Sequence, residues 1–146
     1  MKRLPIVIII LLLFSIAWGQ SASDWFTLGK KAHERKDYNT AIDYFAKAIN
    51  AGPIDTVQEA AIRCSMGFSY ERLGKTDKAY KEYKKTLLLN PSHGPYVINL
   101  LMFMNKLEGK DIFEGVPEAL KKVQKLSNPE NFLNEMDRKY NAIRQK

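Results

Sequence analysis

Two histidines, one cysteine and a scatter of carboxylates are the side chains in this 146-residue chain whose chemistry would suit catalysis or metal binding. His33 and His93 stand sixty residues apart, and neither has a second ligand at the spacing of a metal site. Cys64 lies beside Ala60, Ala61 and Met66 and reads as a small apolar residue. A single cysteine excludes a disulfide framework and a cysteine-rich metal centre. The glycines are isolated, so none builds a phosphate-cradling loop, and no serine or cysteine sits in a nucleophile motif. The carboxylates fall on polar helix faces, where surface charge is expected. The chain is expected to carry no catalytic residue, no cofactor and no metal, and not to be an enzyme.

The net charge of +7 raises nucleic acid as a partner. The lysines, however, are spread along the chain with acids interleaved among them, and no nucleic-acid-binding motif accompanies them. Lys78, Lys81 and Lys85 do share one helix face, which is the pattern of plain solvated surface. No nucleic-acid partner is expected.

Residues 1–19 differ in kind from the rest. Lys2 and Arg3 precede an unbroken apolar run from Leu4 to Phe14, extended by Ile16, Ala17 and Trp18, with small residues at Ala17 and Gly19. A basic start, a short apolar core and a small-residue site make a secretory signal peptide cut after Gly19. The run falls short of the roughly 20 residues that a spanning helix needs. Retention as an N-terminal anchor is the alternative, and only in that case would the chain touch a membrane. No cysteine follows the apolar core, so a lipoprotein signal is missing. Cleavage would remove two positive charges and no acids, taking +7 to +5. The expected destination is the periplasm or cell envelope, or secretion.

Behind the leader, two stretches repeat one pattern. The first reads Trp25-x-x-Leu28-Gly29-x-x-Ala32, then Tyr38-x-x-Ala41-x-x-x-Phe45-x-x-Ala48, then Pro53; the second reads Met66-Gly67-x-x-Tyr70-x-x-x-Gly74, then Ala79-x-x-x-Tyr83, then Pro91. Gly29 falls on Gly67, Ala41 on Ala79, Phe45 on Tyr83 and Pro53 on Pro91, each at an interval of 38 residues. A glycine inside an apolar helix costs about 1 kcal/mol relative to alanine, so its bare backbone should serve close approach of a neighbour. Alanine opposite glycine lets the two helices of a hairpin meet, with Phe45 or Tyr83 filling the groove beside the contact. Proline then stops each second helix.

This rhythm of small and aromatic residues resembles the tetratricopeptide repeat, a helix–turn–helix unit of about 34 residues. The resemblance implies an all-α fold: an α-solenoid with two clear hairpins, one degenerate hairpin and a C-terminal capping helix. Repeat 1 spans about 22–55, repeat 2 about 60–93, the degenerate repeat 3 about 94–128 and the cap 129–146, together a domain of 20–146. The four residues beyond the usual period are about one helical turn, so the third helix should begin a turn early, near Thr56. In the third unit Leu101 stands where a glycine would, and about six extra residues, ending at Gly115-Val116-Pro117, precede a helix bearing Ala119, Val123 and Leu126. The last helix carries Phe132, Leu133, Met136, Tyr140 and Ile143 along one face, which suits covering the open end of a stack. Trp25, Leu28, Gly29, Ala41, Phe45, Gly67, Tyr70, Ala79 and Tyr83 are the expected packing residues of the hairpins.

In this family the first helix of each hairpin lines a concave face that holds a peptide or helix of another protein. Carried over position by position, that groove comprises Phe26, Lys30, His33 and Glu34 from repeat 1, with Cys64, Phe68, Glu71 and Arg72 from repeat 2. Phe26 and Phe68 are read as equivalent inner-face rings with no packing task. One subfamily clamps a C-terminal carboxylate, but Phe26 and Lys30 stand where its lysine and asparagine would, so that clamp is not supported. Aromatic anchors among charges suit an apolar or amphipathic segment. Two function classes stay open: an exported adaptor that holds another protein, and a structural subunit that fills its groove within its own complex. An accessory role beside an envelope enzyme is a third.

Overall fold

The computed structural model describes residues 20–124 and 129–146. The leader lies outside them, as does Leu126. Among the described residues there are seven helices and no strand: α1 (Ala22–Glu34), α2 (Tyr38–Asn50), α3 (Thr56–Arg72), α4 (Thr76–Leu89), α5 (Gly94–Glu108), α6 (Val116–Gln124) and α7 (Glu130–Arg144). None is long and apolar enough to cross a membrane.

Helix starts follow from local chemistry. The first N–H groups of a helix lack intrahelical acceptors, so an oxygen-bearing side chain just before the helix takes one. Ser21 does so reciprocally: its hydroxyl accepts from the Asp24 N–H at 3.2 Å, and the Asp24 carboxylate accepts from the Ser21 N–H at 3.0 Å. These bonds hold the Asp24 carboxyl below its ordinary pKa. Asp37 accepts from the Thr40 N–H at 3.3 Å and Asp55 from the Gln58 N–H at 2.7 Å, opening α2 and α3. At the other end of α5, Gly109 takes φ +68, the left-handed conformation that glycine adopts at least cost.

Each helix from α1 to α6 packs on the next, α1 also touches α3 and α5 touches α7, so hairpin stacks on hairpin as an α-solenoid. Two apolar cores result. The first joins Ala32, Ala41, Phe45 and Ala48 with Ile62 and Met66 of α3. The second runs from Cys64 and Tyr83 through Leu100 and Met104 to Phe132, Met136 and Tyr140. Tyr70 packs against both and links them.

The helix contact differs in one respect from the expectation. The glycines face the rings themselves rather than the alanines. A Cβ on Gly67 would lie 2.7 Å from Cε1 of Tyr83, and one on Gly29 would collide with the Phe45 ring. Ala41 and Ala79 are fully buried nearby. Trp25, expected in the hairpin core, is only half-buried: it stacks on Tyr44 at 5.5 Å with the Lys47 ammonium 4.6 Å over its ring. Leu28 is likewise half-buried.

The third hairpin departs from the first two in its turn. Residues 35–37 join α1 to α2 and residues 73–75 join α3 to α4, whereas residues 109–115 join α5 to α6. The longer connection is a built loop. Asp111 accepts from the Phe113 N–H at 2.8 Å, and the buried Asn105 amide donates to the carbonyls of Ile112 and Glu114 at 3.2 and 2.9 Å.

Candidate partner-binding groove

Two adjoining hollows run along the face formed by α1, α3 and α5. One, of about 200 Å³, is lined by Lys30, His33 and Glu34 of α1, Phe45 of α2, and Ser65 and Phe68 of α3. The other, of about 240 Å³, lies between Phe68, Glu71 and Arg72 of α3 and Asn99, Met102, Phe103 and Lys106 of α5, closed by Ile112. Phe68 belongs to both. Helical geometry explains the arrangement, since residues three and four apart share a face, as do Lys30, His33 and Glu34, and Ser65, Phe68 and Arg72.

Phe68 is 39% exposed, although its edge rests on Tyr83 at 5.5 Å between centroids. Tyr83 in turn is fixed by donating to the Glu71 carboxylate at 2.8 Å, and Lys106 closes the same carboxylate from α5 at 2.8 Å. Glu71 is therefore a brace between α3, α4 and α5 as well as part of the groove floor. Burial and the Glu71 charge push the Tyr83 phenol far above its ordinary pKa, so it stays a neutral donor.

His33 closes the other hollow. Its Nδ1 lies 2.8 Å from the Ser69 hydroxyl, which itself donates to the Ser65 carbonyl at 3.0 Å. One hydroxyl thus meets both the His33 ring and the Ser65 carbonyl, which ties α1 to α3 beside the hollow. Burial lowers the His33 pKa, the Arg72 charge lowers it further, and Glu34 opposes both. Arg72 and Glu34 are exposed and have no ion-pair partner among the described residues.

Six of the eight groove residues expected from the sequence line these hollows: Lys30, His33, Glu34, Phe68, Glu71 and Arg72. Two do not. Cys64 is 6% exposed and belongs to the second core, its sulfur accepting from the Asn99 amide at 3.2 Å. Burial drives its thiol up to about 11, the opposite of a reactive cysteine. Phe26 is half-buried against the first core, 5.8 Å from the Phe45 ring, with Lys30 5.0 Å above it. The reading of Phe26 as a ring without a packing task, equivalent to Phe68, is thus overturned. The 38-residue interval itself sets Phe26 against Cys64 and Lys30 against Phe68, and the burial follows that register.

The α5 wall was missed. Met102 follows Leu101 as Phe68 follows Gly67, so one further step of the repeat register reaches it. Ile112 had no such signal, because the insert has no counterpart in the first two units. Among the described residues no three His, Cys, Asp or Glu side chains gather as a metal site would require.

A protein-family model, that of the tetratricopeptide repeat, matches residues 60–93. The match runs from Ala60 in α3 through α4 to His93, the hairpin that carries Gly67 against Tyr83 and presents Phe68. Repeats of this kind generally bind other proteins or peptides.

Proposed function

We propose that this chain is an exported adaptor of the cell envelope that holds an apolar or amphipathic segment of another protein across Phe68. The carrying observation is Phe68 itself, a ring 39% exposed on a braced helix with a hollow on either side. A large apolar surface held rigid at low entropic cost is the residue type that supplies most of an interface's energy. Lys30, Arg72 and Glu34 surround it as a polar rim that sets orientation. Export rests on the leader: Lys2 and Arg3, the apolar run, and Gly19.

The test uses the chain as bait in envelope extract. A single stoichiometric partner is expected, and Phe68→Ala should weaken its capture at least tenfold, about 1.4 kcal/mol. The melting temperature should move by only a few degrees. Undiminished capture by the variant would remove the groove as the binding site. A concentration-dependent dimer with no other partner would favour the self-assembling subunit. N-terminal sequencing of the expressed protein should find Gln20 or a close neighbour at the mature end; an intact Met1 on a membrane-bound product would mean an anchor.

A further inference from the structure

A second cavity, of about 310 Å³, lies away from the groove, where α5, α6 and α7 come together. Its existence follows from the long third turn. A seven-residue connection does not draw α6 against α5 as tightly as the short turns draw the earlier pairs, and the space left between them is floored by α7. The floor is apolar: Leu101 and Met104 from α5, Phe132 and Met136 from α7.

The rim is acidic. Glu108, Glu114, Glu118 and Glu135 stand against Lys110 and Lys139, which leaves two negative charges on a chain whose net charge is +7. Both lysines are already engaged, Lys110 with Glu108 at 2.8 Å and Lys139 with Glu135 at 3.1 Å. Glu114 and Glu118 are exposed and have no ion-pair partner among the described residues. A cavity with an apolar floor and two carboxylates outside any ion pair at its mouth, Glu114 also within electrostatic reach of Lys110, complements a cation carried on an apolar stem. A lysine or arginine side chain has that form, burying its methylenes while keeping its head at the rim.

The geometry points to this cavity as a second recognition site, which takes a lysine or arginine side chain of a partner segment, with Glu114 and Glu118 holding the cation and the stem lying over the buried methyl groups of Met104 and Met136. The site is independent of the groove and does not share its residues.

The methionine methyl groups make the test specific. Met104 and Met136 line the cavity, Met102 lines the groove, and Met66 lies in the first core. With methionine methyl-¹³C labelling of the full chain, a capped leucine–lysine–leucine peptide should shift Met104 and Met136 saturably and leave the core residue Met66 in place, whether or not its leucines also reach Met102 in the groove. The counterpart with glutamate for lysine should shift Met104 and Met136 at least tenfold less at equal concentration. Glu114→Gln combined with Glu118→Gln should weaken the lysine peptide at least tenfold without moving the melting temperature. Shifts at Met102 alone, equal shifts from the glutamate peptide, or undiminished binding by the double variant would each overturn the assignment. So would saturable shifts from n-octylamine with none from the peptide, which would make the ligand a free amphiphilic amine.

Discussion

The ring of Tyr80 lies flat against that of Tyr140, with 3.9 Å between centroids and 4° between planes. The contact joins α4, in the second hairpin, to α7, the last helix, and it is flanked by polar ties on both sides. Tyr80 donates to Asp137 and Tyr140 to Asp77, each at 2.8 Å, while Lys84 pairs with Asp137 and Arg144 with Asp77. The final helix therefore reaches past the third hairpin and fastens itself to the second.

That fastening predicts a graded response. Tyr140→Phe keeps the ring and loses one hydrogen bond, a cost of about 1 kcal/mol. Tyr140→Ala loses the buried ring as well and should cost roughly 3 kcal/mol. Denaturant unfolding of the two variants checks the order, and equal costs would mean that the stack contributes nothing beyond its hydroxyl. Deleting residues 129–146 should uncover the apolar residues that the last helix packs against, Leu101 and Met104 among them, and drive association, visible by sedimentation.

The helix contact at Gly67 gives a second prediction. Alanine is the better helix former by about 1 kcal/mol, yet its Cβ would lie 2.7 Å from a ring atom of Tyr83. Tyr83 is 1% exposed, tied at its hydroxyl and flanked by Phe68 and Phe103, so it cannot swing aside. Gly67→Ala should destabilise by roughly 2 kcal/mol, and adding Tyr83→Leu should recover part of that loss. Thermal melts unchanged by Gly67→Ala would refute the close approach.

The repeat also marks a strained backbone position. Lys36 has φ +64 in the turn after α1, and 38 residues later the same turn has Gly74 at φ +68. A side chain in the left-handed region costs roughly 1–2 kcal/mol relative to glycine, part of which glycine returns through a more flexible unfolded chain. Lys36→Gly should therefore stabilise the protein by roughly 0.5–1 kcal/mol. A lower melting temperature would show that the lysine side chain contributes more than its backbone strain removes.

Both positions belong to the 38-residue register, which relates Gly67 to Gly29 and Gly74 to Lys36. Gly29 with Phe45 and Gly67 with Tyr83 recur at one interval, which marks a close helix contact, whereas that the ring and not the alanine faces the glycine is a matter of side-chain placement that the interval does not encode. Phe26 was misread because an aromatic residue beside a groove has the same type whether it packs on a neighbour or faces solvent. Its register partner Cys64 carried the answer. The Tyr80–Tyr140 stack and the Ile112 wall were not legible. Both depend on where a degenerate hairpin and its long turn place residues far apart in the chain, and no periodicity encodes that.

Cys64 offers a direct check on its placement. It is the chain's single cysteine, so a thiol reagent reads it alone. A core thiol with its pKa raised to about 11 should react slowly at pH 8 in the native chain and rapidly once denatured. Rapid native reaction would return Cys64 to the groove.

His33 makes the groove sensitive to pH. Its folded pKa lies below the ordinary 6.5 because burial and the Arg72 charge disfavour the protonated ring, against the opposing pull of Glu34. As pH falls through 6.5, the unfolded chain takes up the proton first, so stability falls with it. Once pH drops below the folded pKa the loss from this residue is complete, whereas above 6.5 its contribution is fully present. The slope belongs to His33 if His33→Gln flattens that part of the stability profile relative to the parent. Proton NMR of the ring should give a midpoint under 6.5 that rises in Arg72→Ala and falls further in Glu34→Gln. A midpoint at or above 6.5 in the parent chain would contradict the burial of this ring between α1 and α3, and with it the wall it forms beside Phe68.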